Sequence, residues 1–270
     1  EFREKTFVLA IDGEIVTDER FATLLVDIAL LWSLNIRVVL VHGIAEQIRR
    51  LASERGMTPS NTDGTGVTDA HTLGLALTAA NRLTHEILEG LSATDLRAAC
   101  TNGIVAHPVG VIQGVDQQFT GRVERVDVEL LQSLLTQGVV PIVPPLGFDG
   151  EGRTYRVNSD GMAVAVAAQL HAVKLVYVTA APGLVYRGEP IRQMMVSELA
   201  ALLQKDPAGF VGEHLSKAQH AVSACHAGVP RVHVIDGTLD EGLLGEVFSN
   251  HGLGTLIHTN EYENIRAAER

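Results

Sequence analysis

Short runs of β-branched and aliphatic residues alternate along this chain with longer stretches in which apolar residues return every three or four positions. Strands separated by helices pair in parallel with the helices on their faces, so the alternation points to an α/β fold. Strands are expected at 6–11, 37–41, 96–100, 139–143, 175–179 and 231–235, several of them apolar throughout, as strands covered on both faces are. Between them, Phe21, Leu24, Leu25, Ile28 and Leu31 keep a helical stripe after Thr17-Asp18-Glu19. Leu130, Leu131, Leu134 and Leu135 do the same between Asp127 and Gly138, residue types that start and stop helices. Further helical patterns cover 68–91 and 159–171. The segment 104–127 breaks the rhythm with Pro108, three glycines and alternation across Phe119-Thr120-Gly121-Arg122-Val123, and is expected to form an antiparallel excursion.

With 270 residues, the chain is expected to be one large domain or two lobes sharing an interface, with a lobe boundary near Ala172-Val173. A hydrophobic fraction of 46% against 20% charged residues excludes a disordered chain. The balance of 21 Lys+Arg against 32 Asp+Glu, net −11, repels phosphate backbones and anionic bilayers, so nucleic acid and membrane are not expected partners. The longest apolar stretch, 24–34, is broken by Asp27 and Ser33 and is too short to span a bilayer. Cys100 and Cys225 are too few for a disulfide framework and suit a reducing cytosol, which makes a cytoplasmic location the expectation. The start at Glu1, without Met or a basic and apolar leader, reads as a cut.

Eleven histidines raise the question of a metal, but no H-E-x-x-H spacing occurs and none is expected. His214, His220 and His226 stand six apart, which does not stack them on one helix face, and read as solvated surface residues. Neither G-x-S-x-G nor a Walker A loop is present. Glycine turns follow three strands: Asp12-Gly13-Glu14, His42-Gly43-Ile44 and Ala181-Pro182-Gly183. In an open parallel sheet such turns are where ligands bind, and they are equally where ordinary tight turns fall. The turn-rich stretch 58–66 could lie over such a site.

Taken together, Phe7-Val8-Leu9-Ala10-Ile11-Asp12-Gly13-Glu14, Val39-Leu40-Val41-His42-Gly43, Val67-Thr68-Asp69, Val157-Asn158-Ser159-Asp160 and Gly252-Leu253-Gly254-Thr255-Leu256-Ile257 resemble the amino-acid-kinase family. The resemblance implies an open, mainly parallel eight-stranded sheet sandwiched by helices. It also implies two lobes: 1–172 on the acylamino-acid side and 173–270 on the nucleotide side. Against the family pattern, Ala10 stands where its kinases place a lysine, Asp12-Gly13 replaces paired glycines, His42-Gly43 reduces a glycine-rich turn, and Gly66 stands where an arginine clamps the substrate carboxylate. An unpaired Asp12 carboxylate would oppose phosphoryl transfer, which needs cations and N–H donors. Asn158, Asp160 and Lys217 match substrate- and phosphate-site positions; the alternative readings are a helix cap at Asn158 or Ser159 and a solvated helix lysine at Lys217.

Within the family, 254–266 and 119–127 resemble the N-terminal domain of N-acetylglutamate synthases. That resemblance implies a regulatory and oligomer-forming domain without kinase activity, sensing L-arginine through His233, Glu246, Gly252 and Gly254. A carboxylate suits a guanidinium fork; the alternative readings are an exposed helix residue for Glu246 and a buried strand residue for His233. No cofactor is expected in this chain, because no acetyl-CoA-binding Gln/Arg-x-x-Gly-x-Gly/Ala turn precedes Arg270. An acetyltransferase domain using acetyl-CoA is expected beyond 270. The resemblance further implies a homo-oligomer, a dimer through the N-terminal lobes or a hexamer linked by a helix preceding Glu1. Two rival readings are an active acetylglutamate kinase and a stand-alone pseudokinase.

Overall fold

The strand Thr6–Ile11 sends Phe7, Leu9 and Ile11 into one hydrophobic core and Val8 and Ala10 into another, so both of its faces are covered. This is why its sequence is apolar without alternation. In the computed structural model, which describes residues 2–248 and 252–259, that strand is central in an eight-stranded sheet. The order across the sheet is Gln193–Met195, Thr255–His258, Arg231–Asp236, Lys174–Thr179, Thr6–Ile11, Arg37–His42, Val140–Val143 and Ala98–Cys100. Every neighbouring pair is parallel except Arg231–Asp236 with Thr255–His258. The mainly parallel eight-stranded expectation therefore holds.

The helices are α1 (Gly13–Val16), α2 (Phe21–Ser33), α3 (Ala45–Glu54), α4 (Ala70–Ala93), α5 (Val128–Thr136), α6 (Ser159–Gln169), α7 (Val196–Lys205), α8 (Glu213–His226) and α9 (Gly242–Phe248). Leu24 and Ile28 of α2, Ile48 of α3 and Leu83 of α4 pack on the face carrying Phe7. Met162 and Val166 of α6 and Ala218 and Ala221 of α8 pack on the face carrying Val8. The helix expected at 68–91 starts two residues later because Asp69 caps it, accepting from Thr72 N at 2.7 Å.

Segment 104–127 is antiparallel as expected, Ile104–Pro108 pairing with Gly121–Val126. Leu146–Phe148 and Thr154–Arg156 join them in a second, four-stranded sheet that periodicity did not indicate. Two strands of the main sheet, Gln193–Met195 and Thr255–His258, were likewise outside the periodic pattern, being three and four residues long. The expected boundary near 172 falls between α6 and Lys174–Thr179, where the Val173 N–H donates to Thr6 O at 3.0 Å. Residues 260–270, the end of the expected second lobe, lie outside the described residues. Among the described residues, no helix is long and apolar enough to cross a membrane.

Candidate functional site

The turns after Thr6–Ile11 and Arg37–His42 are tied to the sheet, Asp12 N donating to Val178 O at 3.0 Å and Gly43 N to Ile11 O at 2.8 Å. They open onto a cavity of about 400 Å³ at the carboxyl ends of the strands. Gly13 is required by this crossing: a Cβ there would lie 2.1 Å from Gln47 Oε1 and 2.9 Å from Gly43 O. Gln47 Nε2 in turn donates to Gly13 O at 2.7 Å.

Lys217 of α8 is 2% exposed, with Nζ 3.0 Å from Asp12 Oδ1 and 3.4 Å from Asp160 Oδ1. Two expectations are corrected here. Lys217 is not a solvated lysine, because its α8 face packs on the sheet, and Asp12 is not unpaired, because that lysine meets it. Burial pushes the Asp12 carboxyl up to about 7, helped by Asp160 and Glu213 and opposed by Lys217. Burial alone would lower Lys217, but Asp12 and Asp160 hold it above its ordinary value. Asp160 Oδ2 also accepts from Ser216 Oγ at 2.6 Å.

Asn158 is a helix cap that also lines the cavity. Its Oδ1 caps α6 by accepting from Gly161 N at 2.9 Å, and its Nδ2 donates to Asp63 O at 2.9 Å beside the cavity. Loop 58–66 does reach the site, since Thr62 and Asp63 line the cavity. It is strapped by Arg156, 2% exposed, whose Nη1 donates to Asn61 O at 3.1 Å and whose Nη2 donates to Thr62 O. Sequence reasoning missed Arg156, and nothing in the periodicity marks an arginine in Thr154–Arg156 as buried.

Asp12, Gly13, Gly43, Asn158, Asp160 and Lys217 thus share one cavity, while Ala10, His42 and Gly66 do not line it. Ala10 is in the core against α6. His42 faces α4, its Nε2 2.9 Å from Thr84 Oγ1, and burial lowers its pKa to about 4. Gly66 turns its carbonyl to Thr120 Oγ1 at 2.6 Å. The cavity carries Asp12, Glu14, Glu46, Asp63, Asp160 and Glu213 against Arg49, Arg156 and Lys217, an excess of negative charge. Asp12, Glu14 and Glu213 place carboxylate oxygens within 4.8 Å of one another, a set that could hold a cation and that histidine spacing did not reveal. Of the spaced histidines, His214 and His220 are half-buried instead of solvated, His220 Nδ1 lying 2.8 Å from Ser216 O, whereas His226 is exposed.

A second constellation lies between α9 and the strand Arg231–Asp236. Glu246, 4% exposed, meets His233 Nδ1 through Oε1 at 2.7 Å and accepts from Leu253 N at 2.6 Å and Gly254 N at 2.8 Å through Oε2. The exposed-residue reading of Glu246 fails, because α9 turns it inward. Lys174 Nζ lies 3.0 Å from His233 Nε2. An ammonium only donates, so Nε2 accepts and the proton sits on Nδ1, facing the carboxylate. Burial would raise Glu246, but His233 and the two backbone N–H groups pull it down to about 2. Burial lowers His233 to about 4, with Lys174 acting in the same direction. Gly252, at φ +50°, brings its Cα so close that a Cβ would sit 2.9 Å from Glu246 Oε2. A Cβ on Gly254 would sit 2.2 Å from Val234 O. His233, Glu246, Gly252 and Gly254 are therefore brought together around one ionised carboxylate.

The sequence pattern of the amino acid kinase family matches residues 5–236. The chain is similar to an amino-acid acetyltransferase of Pseudomonas fluorescens, 34% identical over 276 residues that cover 98% of this chain and 63% of that protein. It is also similar to N-acetylglutamate synthase from Neisseria gonorrhoeae complexed with coenzyme A and N-acetyl-glutamate, with TM-score 0.88, 32% identity and coverage of 96% of this chain and 60% of that one. The same enzyme complexed with coenzyme A and L-arginine matches with TM-score 0.87, 30% identity and coverage of 96% and 62%. The chain spans less than two thirds of the length of these relatives. With the family pattern running from the first strand to the end of Arg231–Asp236, the chain belongs to the amino acid kinase family.

Proposed function

We propose that this chain is the regulatory, arginine-sensing and oligomer-forming part of an N-acetylglutamate synthase, without kinase activity of its own. The observation that carries the reading is the buried Glu246 carboxylate, held ionised beside His233 and the Gly252 and Gly254 backbone. A relative of the same fold is seen with L-arginine, and a fixed anion beside glycine backbone is what a guanidinium fork needs. The Glu246 oxygens already meet His233, Leu253 and Gly254, which fix the direction of the anion.

The rival kinase reading is opposed by charge. Ala10 supplies no cation, and Lys217 is already neutralised by Asp12 and Asp160. Like charges ~4 Å apart cost about 1 kcal/mol in water and several times that near a protein surface, so a phosphoryl group entering this acidic cavity is repelled. Acetyl transfer from acetyl-CoA is assigned to the portion of the relatives' length that this chain does not span. A homo-oligomer, dimer or hexamer, in the cytoplasm belongs to the same proposal.

Calorimetry with L-arginine tests it. Binding at millimolar concentration or tighter, with no ADP released from MgATP and N-acetylglutamate, is the expected pair of results. Robust ADP release would overturn the kinase-silent assignment, and absence of any arginine heat would overturn the effector site.

A further inference from the structure

The peptide unit joining Leu253 to Gly254 is bonded on both of its edges. Its N–H, at Gly254, donates to Glu246 Oε2 at 2.8 Å, and its C=O, at Leu253, accepts from Arg192 Nη1 at 2.7 Å. The bond is trans, and the two polar groups of a trans peptide point in opposite directions. Arg192 and Glu246 therefore stand on opposite sides of one peptide plane. Arg192 immediately precedes the edge strand Gln193–Met195, and its own carbonyl accepts from Leu256 N at 2.9 Å. Thr255, fully buried, ties the residue before it, its Oγ1 donating to Ile191 O. Residues 191–192 thus hold the stretch 253–256 at three points.

The plane needs such an anchor because glycines bracket it. Gly252 sits at φ +50°, and at Gly254 the place of a Cβ is taken by Val234 O, 2.2 Å away. Glycine leaves the torsions beside a peptide unusually free, so a plane next to it turns unless something outside holds it. A guanidinium is a strong donor, and a bond accepted at the C=O polarises the peptide so that its N–H donates better at the other end. We infer that Arg192 is a positioning residue for Glu246, fixing the Leu253–Gly254 peptide so that its N–H faces Oε2. It acts through that peptide. As a statement about arginine, this rests on the effector reading above; as a statement about the Gly254–Glu246 bond, it stands apart from it.

The test uses Arg192→Met and Arg192→Lys in the full chain, reading L-arginine affinity by calorimetry and the backbone amide protons by NMR. Arg192 is exposed, so both variants should fold. Arg192→Met is expected to weaken arginine about fivefold, and Arg192→Lys, which keeps the charge and a donor, to recover part of that loss. In Arg192→Met the Gly254 amide proton should move upfield, away from the position of a proton held by a carboxylate. A role limited to stability would lower the melting temperature and leave that resonance in place, which would overturn the inference. Tighter arginine binding by Arg192→Met would overturn it too, because Arg192 would then act only as a like charge beside a cationic ligand. If the unaltered protein binds no arginine, the effector reading fails, and the Gly254 signal alone decides the role of Arg192.

Discussion

Lys217 Nζ stands 3.0 Å from Asp12 Oδ1, joining α8 to the turn that follows the first strand across 205 positions of sequence. The pair makes the lysine an internal tie, and Asp160, 3.4 Å away on α6, completes it. Removing one partner of a buried ion pair leaves the other charge uncompensated, at about 3–5 kcal/mol. Lys217→Met is accordingly expected to destabilise the chain by that amount in denaturant unfolding. Asp12→Asn should cost clearly less, because the Asp12 pKa of about 7 means that its neutral form is already accessible. Equal losses for the two variants would show that the carboxylate is fully committed to the lysine.

Gly13→Ala tests the crossing of the two turns. The new Cβ would lie 2.1 Å from Gln47 Oε1, a flexible end that can swing away, and 2.9 Å from Gly43 O, which is backbone. The swing loses the Gln47 bond to Gly13 O, and the backbone must still shift, so a loss of roughly 1–3 kcal/mol is expected. A melting temperature equal to that of the unaltered protein would mean that the turns are looser than their hydrogen bonds indicate.

Two buried histidines should make the fold weaken as the solution is acidified. His42 and His233 have folded pKa values of about 4, below the ordinary 6.5, because burial disfavours the charged ring. Between those values the unfolded chain binds protons that the folded chain refuses, so stability falls as pH drops, by up to about 1.4 kcal/mol per pH unit for each histidine. Asp12 works in the opposite sense: its raised pKa stabilises at low pH and is lost on rising toward 7. His42→Asn removes one of the two acid-sensitive contributions without touching Glu246. Unfolding curves at about pH 7 and about pH 5 should therefore lie closer together for His42→Asn than for the unaltered chain.

Much of this was readable from residue order, and what was not has physical reasons. Strands such as Thr6–Ile11 declare themselves because burial on both faces demands an unbroken apolar run. Gln193–Met195 carries no such demand, being a short edge strand whose conformation comes from its pairing with Thr255–His258. Burial of Lys217 was legible: it precedes Ala221, Ala224 and Cys225 by four, seven and eight positions, so it shares their buried face. Its charge concealed this. Arg156 left no trace, since its partners, Asn61 and Thr62, come to it only through the fold. The acidic set Asp12, Glu14 and Glu213 was hidden for the same reason.

Glu246→Gln should expose the polarity of the buried chain running from Lys174 through His233 to Glu246. Lys174 fixes His233 as a donor at Nδ1, and the Leu253 and Gly254 N–H groups are donors as well, so the residue at 246 must accept on both ends. Glutamate does this with two oxygens, whereas a glutamine has only one and must turn an NH₂ toward a donor. If the amide faces His233, the ring has to flip tautomer and set Nε2–H against the Lys174 ammonium. If it faces the backbone, two N–H groups lose their acceptor. Either arrangement leaves a buried donor unsatisfied, at about 1–3 kcal/mol, despite the near-identical shape of the side chain. Lys174→Met releases Nε2 and permits the flip, so the double variant should be more stable than the sum of the single losses predicts. Additive losses in that cycle would mean that the tautomer of His233 is set by something other than Lys174.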